Sequence, residues 1–445
     1  MGAERWLVGL LALALSAPAG AILPIQHWET AGGARVYFVE NHDLPMLDLS
    51  VEFPAGAAYD TAEKSGAAAM TNRLLRLGAD GMDENEIARR VADVGAQLGA
   101  SSETDRAGLS LRTLSSPGER QQALDVFARI LRNPAFPQDV LEREKVRLAG
   151  ALKDADTKPD TIAAVNFYRL LYREHPYALR SSGEVATVER LTRDDLVAFY
   201  RRHYDRRYAV VAMIGDVTRA EAEAIAEAVT RDLPQGNGNE PPLPGVSTLD
   251  AAAVRFIGHP ASQAHILIGA PGIRRDDPDY FPLLVGNHVL GGGGFVSRII
   301  EEVRQKRGLA YSAYSYFSPL QRAGPFVIGM QTQRAQAAEA LRVVDATLRE
   351  FVTNGPTGDE LEAAKRNIIG SFPLRIDSNR KIHGYLGLIG FYRLPLTYLE
   401  EFTRNVERVT IADIKSGFAR RVDPDRMVTV VVGPETERAS GAAIP

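Results

Sequence analysis

The spacing of apolar residues along the chain alternates between a period of two and a helical period. Residues 46–53, MLDLSVEF, place four apolar side chains from Leu47 to Phe53 on one side and three polar side chains on the other. A period of two predicts a β-strand that buries one face and exposes the other to solvent. Residues 108–114, GLSLRTL, repeat this pattern and predict a second strand.

Other segments carry apolar residues at helical spacing. Leu124, Phe127 and Leu131 share one helical face in the first half of the chain, and a second apolar stripe runs from Leu341 to Phe351 in the second half. Helices that cover largely antiparallel sheets make an α+β fold. We therefore expect strands and amphipathic helices in both halves.

Two sequence matches indicate that the second half repeats the first. Residues 191–216 align without a gap with residues 409–434, and LEREKVRLAG at 141–150 matches LEAAKRNIIG at 361–370. The separation is about 220 residues in both cases, as expected after duplication of one domain. The prediction is an α+β protein of two homologous domains, each a mainly antiparallel sheet packed with helices.

The boundary between the two predicted domains follows from a segment that lacks any apolar period. The segment LPQGNGNEPPLPGVS, residues 233–247, is rich in Pro, Gly and Asn, which is typical of a linker. We assign the linker to 233–250, the N-terminal domain to 22–232 and the C-terminal domain to 251–445. Cleavage within residues 233–247 is then expected to release two folded halves.

The first 21 residues have the features of a removable secretory signal. An apolar run from Trp6 to Leu15 follows a basic residue and precedes small residues that end at Ala21. This run is shorter than the roughly 20 residues that a membrane-spanning helix needs. We expect residues 1–21 to be removed, the mature chain to begin near Ile22 without a membrane span, and the protein to be exported to a bacterial periplasm.

Charge and cysteine content exclude several classes of function. The chain has 52 basic and 56 acidic residues, a net charge of −4, so no broad positive field favours nucleic acid. The basic cluster RRHYDRR at 201–207 is better explained as a solvated helix end. The chain has no cysteine, which excludes disulfides and thiolate metal sites.

Three longer stretches carry a family resemblance that covers nearly the whole mature chain. These are AGAAYDTAEKSGAAAMTNRLLRLGA at 55–79, HPYALRSSGEVATVERLTRDDLVAFYRRHY at 175–204 and VLGGGGFVSRIIEEVRQKRGLAYSAYSYF at 289–317. In this order they resemble the pitrilysin/insulinase family of zinc peptidases, the inverzincins. The resemblance implies two peptidase-like domains in this chain.

The family's zinc site is degenerate in this chain. Its signature is H-x-x-E-H on a helix of the first domain, with a further glutamate some 75 residues later. In the family the two histidines and the distant glutamate bind zinc, and the inner glutamate takes a proton from zinc-bound water. The resemblance places the histidines at Ala69 and Arg73, the inner glutamate at Asn72 and the distant ligand at Ala151, seven residues after Glu144. None of these four side chains can do that work.

The remaining histidines do not supply another metal site. No two of the eight histidines lie four residues apart, and the closest pair, His259 and His265, has no evident third ligand. No nucleophile elbow, P-loop or dinucleotide-binding glycine motif is present either. We therefore expect no metal on this chain.

The second half keeps residues that the family uses for substrate. In VRQKRGLAYSAY, Arg304 and Tyr311 match the family's Arg/Tyr pair, which binds substrate and stabilises the oxyanion across the cleft from the metal. Spacing alone favours Arg304 as one of several basic residues on a helix and Tyr311 as the start of a strand, and the surrounding motif favours the functional pair instead. A run of four glycines precedes them, and by resemblance Gly292, Gly293 and Gly294 form either a substrate-contacting loop or a plain connection into a helix near Ser297.

The resemblance implies one leading function and one alternative. The leading hypothesis is a non-catalytic subunit of an exported two-chain zinc peptidase. A partner of similar size would hold the H-x-x-E-H motif and the zinc, and this chain would supply Arg304 and Tyr311 to cleave peptides in a shared chamber. The alternative is an inactive pseudopeptidase that acts as a peptide-binding or scaffold protein, with the pair a relic.

Overall fold

The computed structural model describes residues 24–236 and 242–433 and places one main sheet in each half of the chain. The expected signal sequence, residues 1–21, lies outside the described residues. The strands of the first half are β1 (Gln26–Glu29), β2 (Arg35–Glu40), β3 (Met46–Phe53), β4 (Gly78–Ala79), β5 (Met82–Asp83), β6 (Gln97–Ser102), β7 (Ala107–Leu114) and β8 (Val210–Gly215). Its helices are α1 (Ala67–Leu74), α2 (Glu84–Asp93), α3 (Pro117–Arg132), α4 (Gln138–Ala155), α5 (Pro159–Tyr172), α6 (Val185–Arg190), α7 (Arg193–His203) and α8 (Arg219–Thr230).

The second half repeats this alternation of strands and helices. Its strands are β9 (Ala253–Gly258), β10 (Gln263–Pro271), β11 (Ala310–Phe317), β12 (Pro325–Gln333) and β13 (Val428–Gly433). Its helices are α9 (Tyr280–Asn287), α10 (Arg298–Ile300), α11 (Ala337–Asn354), α12 (Gly358–Ser371), α13 (Asn379–Tyr392), α14 (Tyr398–Arg408) and α15 (Ile411–Arg421). None of the helices in the described ranges combines the length and the hydropathy that a membrane span requires.

Five strands of the first main sheet have the same order as the five strands of the second, and the first sheet has β1 in addition at one edge. The first sheet runs β1-β2-β8-β3-β7-β6, and the second runs β9-β13-β10-β12-β11. Each has one parallel pair, β2 with β8 and β9 with β13, while its other pairs are antiparallel. The prediction of an α+β protein with two homologous, mainly antiparallel sheets is therefore confirmed.

The duplicated segments fold alike down to their helix caps. The side chain of Thr192 accepts the backbone N–H of Asp195, whose carboxylate accepts the backbone N–H of Thr192 in return. Thr410 and Asp413 form the same reciprocal pair at the start of α15. Such capping boxes satisfy two otherwise unpaired helix N–H groups, so the repeat in the sequence fixes the starts of α7 and α15.

The two halves exchange one helix each. Helix α5, from the first half, packs on β10 and β13 of the second sheet, and Phe167 is fully buried there. Helix α13, from the second half, packs on β2, β3 and β8 of the first sheet through Leu386 and Ile389. Each half therefore depends on the other to cover one face of its sheet.

Because of this exchange, the expectation that one face of β3 is exposed to solvent is wrong. The strand has the predicted bounds, and its apolar residues from Leu47 to Phe53 are buried. Its polar side is buried as well, because α13 covers it: Asp48 is 6% exposed and Ser50 is 3% exposed. Asp48 accepts two hydrogen bonds from Arg112, at 2.7 and 2.8 Å, which satisfy its carboxylate.

The connection between the halves is packed against the rest of the chain. Between the end of α8 and the start of β9, the described residues form neither helix nor strand, but Leu243 and Leu249 are buried. Arg322 donates two hydrogen bonds to the carbonyl of Leu243, at 3.0 and 2.7 Å. This packing and the exchanged helices argue against the expectation that cleavage here releases separate halves, and favour halves that stay together.

Candidate functional site

Helix α1 carries the positions at which the family binds zinc, and its start is built from a glycine and an acid. Gly66 at the N-cap has a φ of +95°, a conformation that favours glycine. The Asp60 carboxylate accepts the backbone N–H groups of Gly66 and Ala68, both at 2.8 Å. Burial raises the pKa of Asp60 to about 7. The helix is therefore held firmly in place at its N-terminus.

Asn72 stands at the position of the family's catalytic glutamate and has a structural role. It is 3% exposed, and its side-chain amide donates hydrogen bonds to the carbonyl of Gly108 at 3.0 Å and to the hydroxyl of Tyr204 at 3.2 Å. An amide held in this way ties α1 to β7 and α7. It offers no group that could take a proton from a water molecule.

Arg73 stands at the second histidine position and forms an ion pair with Glu144 on α4. Its side chain is 36% exposed, whereas that of Glu144 is 6% exposed. Arg147 also contacts the Glu144 carboxylate, at 3.0 Å. Burial alone would raise the pKa of Glu144, but the hydrogen bond and charge of Arg73, together with Arg147, hold that pKa below its usual range.

These residues do not fit a zinc ion. Zinc needs three protein ligands from His, Cys, Asp or Glu, but Ala69 and Ala151 have no donor atom and Arg73 brings a permanent positive charge. His259 is committed elsewhere, since its ring nitrogens contact the carbonyl of Thr157 and the backbone N–H of Ala261. Within residues 24–236 and 242–433, no three acidic, histidine or cysteine side chains come together as a metal site.

Arg304 and Tyr311 are brought into direct contact. The Arg304 guanidinium lies 4.7 Å from the centre of the Tyr311 ring and 4.8 Å from the centre of the Phe295 ring, so it makes a cation–π contact with each. Tyr311 is 79% exposed and sits at a bulge near the start of β11, an edge strand. The pair thus presents a phenolic hydroxyl and a positioned guanidinium to solvent.

The neighbouring basic residues are engaged differently. Arg307 donates to the Glu302 carboxylate at 2.5 Å, and Lys306 contacts the same carboxylate at 2.6 Å. In the described part of the chain, no acidic side chain pairs with Arg304. Its N–H groups therefore remain available to an acceptor from outside, in contrast to those of Arg307.

The glycine run lies where α9 continues as a π-helical turn, His288–Gly292, and is followed by a 3-10 turn, Gly294–Val296. A side chain at Gly292 would come within 2.6 Å of the Asn287 amide nitrogen, and one at Gly293 within 2.6 Å of the His288 carbonyl oxygen. Gly294 has a φ of +63° and open space around it. The next helix begins at Arg298, close to the expected start near Ser297. Packing and backbone conformation thus account for these glycines, while the turn also exposes Phe295 beside Arg304.

Sequence reasoning missed two members of these sites. Glu144 was not expected as the counter-ion of Arg73, and Phe295 was not expected as a stacking partner of Arg304. The only sequence signals are an acid on α4 about two turns before Ala151 and an aromatic residue directly after the glycine run. The α1 positions belong to the first domain, and the Arg304 pair belongs to the second.

Comparison with known proteins gives matches over most of the chain. Residues 35–183 match the model of the insulinase family, peptidase family M16, and residues 190–368 match that of the peptidase M16 inactive domain. A crystal structure of a peptidase M16 inactive domain from Pseudomonas fluorescens is 39% identical, with a TM-score of 0.89, and the match covers 93% of this chain and 98% of that one.

Two curated relatives carry contrasting descriptions. A Helicobacter pylori protein described as a non-peptidase homolog, YmxG, is 26% identical over 386 residues, which cover 85% of this chain and 87% of the relative. An uncharacterized zinc protease of Streptomyces coelicolor is 27% identical over 410 residues, 91% of this chain and 88% of the relative. The chain therefore belongs to the peptidase M16, or insulinase, family, and it is an inactive M16-like protein that lacks the family's zinc-binding side chains.

Proposed function

We propose that this chain is the non-catalytic subunit of an exported, two-chain zinc peptidase. The observation that carries the proposal is a contrast between two sites of one chain. At Arg73, an ion pair with Glu144 has replaced the metal site, whereas Tyr311 is exposed, the half-buried Arg304 guanidinium lies over its ring, and no acid of the described chain engages either residue. A protein that had lost all contact with peptide chemistry would have no need for the second arrangement.

The partner in this proposal is a chain of similar size with an intact H-x-x-E-H motif. Zinc bound there supplies the activated water, and this chain closes the other wall of the chamber. Arg304 then donates to the carbonyl of the bound peptide, and the Tyr311 hydroxyl donates to the oxygen that becomes negative during attack. The turn formed by Gly292, Gly293 and Gly294 borders the pair and contacts the peptide backbone.

The test is activity of the reconstituted complex, measured as kcat and KM with the catalytic partner in excess. Tyr311→Phe keeps the ring and its contact with Arg304 but removes the hydroxyl, so kcat should fall by about 10²-fold to 10³-fold. Arg304→Ala should lower kcat and also raise KM. The isolated chain should carry no stoichiometric zinc and cleave no peptide.

Arg307→Ala is the matched control, because it removes a guanidinium three residues away that is paired with Glu302. It should leave kcat and KM close to those of the parent complex. If Tyr311→Phe and Arg304→Ala cleave like the parent, or if Arg307→Ala does equal damage, the shared site is wrong. The pair is then a relic, and a peptide-binding or scaffold role for the pseudopeptidase takes its place.

A further inference from the structure

Three arginines contact one buried carboxylate where the family holds its metal, and a fourth lies close to one of them. Arg73 lies on α1, and Arg143 and Arg147 lie on α4, and all three contact Glu144. Arg76 follows Arg73 by three residues, which places both side chains on one face of the segment that begins with α1. We call Arg73, Arg76, Arg143 and Arg147 the arginine cluster.

The arginine cluster carries more positive charge than its acidic partners neutralise. Glu144 is shared among three guanidiniums, and Arg143 has one further partner, Glu84, at 2.6 Å. The four guanidiniums of the cluster therefore have two carboxylate partners in total. The side chains of Arg143 and Arg147 are 51% and 59% exposed, so their remaining N–H groups reach solvent. If the residues that replace the zinc site served packing alone, a single arginine would be enough to neutralise the one buried acid, Glu144.

Arg76 adds a second observation, a buried donor without an acceptor. Its Nε atom is buried and has no hydrogen-bond partner in the described chain, and no acidic side chain there pairs with it. Burial and then the nearby charge of Arg73 lower the pKa of Arg76. A buried donor without an acceptor is costly, and an anion bound between Arg73 and Arg76 would satisfy it.

We propose that the arginine cluster binds a carboxylate group of a peptide at the position where the family binds zinc. The guanidinium fork matches the two oxygens of a carboxylate and stays charged at all physiological pH values. The carboxylate can come from a C-terminus or from an Asp or Glu side chain. The substitutions on α1 thus replace a metal site with an anion site, and this site needs no partner chain.

The experiment uses the full mature chain alone and measures peptide binding by isothermal titration calorimetry in a zwitterionic buffer at low salt. The probes are three heptapeptides of alanine and glycine. The first has a central glutamate and both ends blocked, the second has glutamine in its place, and the third has the glutamine and a free C-terminal carboxylate. The first, the third or both should bind at least tenfold more tightly than the second. The tighter of the two carboxylate peptides identifies the source of the group.

Arg76→Gln is the informative variant, because Arg76 has no partner to lose. It should weaken binding of the carboxylate peptides about tenfold, and Arg76→Lys should restore part of the loss by restoring charge without the fork. Arg89→Gln, on α2, is the control with the same charge change at a surface pair. Thermal unfolding of each variant shows that it is folded.

Three outcomes would overturn the proposal. These are equal affinity for the glutamate, glutamine and free-carboxylate peptides, unchanged affinity in Arg76→Gln, and equal loss in Arg89→Gln. None of these measurements involves the catalytic partner or the Arg304 pair. Failure here therefore leaves the proposed subunit function standing, and failure of the reconstituted activity leaves this site standing.

Discussion

At the scale of single residues, His203 shows how burial couples this fold to pH. It ends α7, is 4% exposed, and lies against the rings of Phe199 and Tyr59 with centroid distances of 4.3 and 5.2 Å. Its Nδ1 contacts the carbonyl of Pro54 at 3.2 Å, which fixes that nitrogen as a donor in the neutral ring. Burial and then the charge of Arg202 lower the pKa of His203 to about 4.

This lowered pKa predicts loss of stability on acidification. Between pH 6.5 and pH 4, His203 is protonated in the unfolded chain but neutral in the folded chain. The free energy of unfolding therefore falls as the pH is lowered. For this group the full loss is roughly 3 kcal/mol, complete near pH 4. His203→Phe should flatten that part of the curve, although it loses the bond to Pro54. Urea unfolding at several pH values measures both effects.

His42 provides the control of opposite sign. Hydrogen bonds that His42 donates to Asp216 and then to Glu40 raise the pKa of His42, so its contribution is present below pH 6.5 and is lost as the pH rises further. His42→Gln should therefore leave the slope between pH 6.5 and pH 4 unchanged. If the free energy of unfolding of His203→Phe falls as steeply between pH 6.5 and pH 4 as that of the parent, His203 does not titrate as proposed.

Residues of the α1 site were predictable from the sequence in their identity but not in their partners. The substitution of Ala69, Asn72 and Arg73 can be read directly from an alignment with the motif. The ion pair of Arg73 with Glu144 cannot, because it depends on how closely α1 and α4 approach across 71 residues of chain. The same holds for Asn72, whose hydrogen bonds reach α7 and β7.

At the scale of elements, β3 and α13 show what periodicity can and cannot predict. The alternation from Met46 to Phe53 predicted the bounds of β3 correctly, since apolar and polar side chains do point to opposite faces. It could not predict that the polar face is also buried. That face is covered by α13, more than 300 residues later in the chain, and the burial of the Asp48 carboxylate is tolerated because Arg112 satisfies it.

Two glycines on α13 allow its contact with the first sheet to be tested. A methyl group at Gly390 would lie 2.5 Å from a Val210 methyl carbon and 2.7 Å from the Tyr37 ring, whereas one at Gly384 would meet nothing within 4 Å. Gly390→Ala should therefore destabilise the protein by about 1–3 kcal/mol through overpacking. Gly384→Ala should stabilise it by about 0.5–1 kcal/mol, because alanine favours the helix.

The pair forms a matched control within one helix, measured by denaturant unfolding with a common m-value. Opposite signs at the two positions are the expected result. Equal stabilisation by both alanines would mean that α13 does not pack closely on β2 and β8, and the exchange of helices between the halves would have to be abandoned.

At the scale of the whole molecule, the duplication was readable from the sequence but the exchange was not. Matching segments revealed two copies because each copy kept its own caps and strand order. The sequence does not show which sheet a helix packs on. Helices α5 and α13 need an apolar face whether they cover the sheet of their own half or that of the other half. The family resemblance likewise predicted Arg304 and Tyr311 from the sequence. The contact of Phe295 with Arg304 is visible only in the tertiary structure.

The last prediction concerns the two halves after cleavage of the chain within residues 233–247 by a protease site engineered there. The cut halves should elute together on size exclusion, at the volume of the intact chain, and separate only on a denaturing gel. The reason is that separation would expose Phe167 and the rest of α5, together with the sheet face under α13, to water.

Urea provides the control, because halves that depend on each other should dissociate and unfold in one transition, with a midpoint that rises with protein concentration. A cleaved chain that elutes as two folded species of half the size would contradict the exchange. The coupling also bears on function: the arginine cluster lies in one half and the Arg304 pair in the other. Since each sheet is covered by a helix of the other half, neither site can be removed as a separately folded domain, and both must be studied in the complete chain.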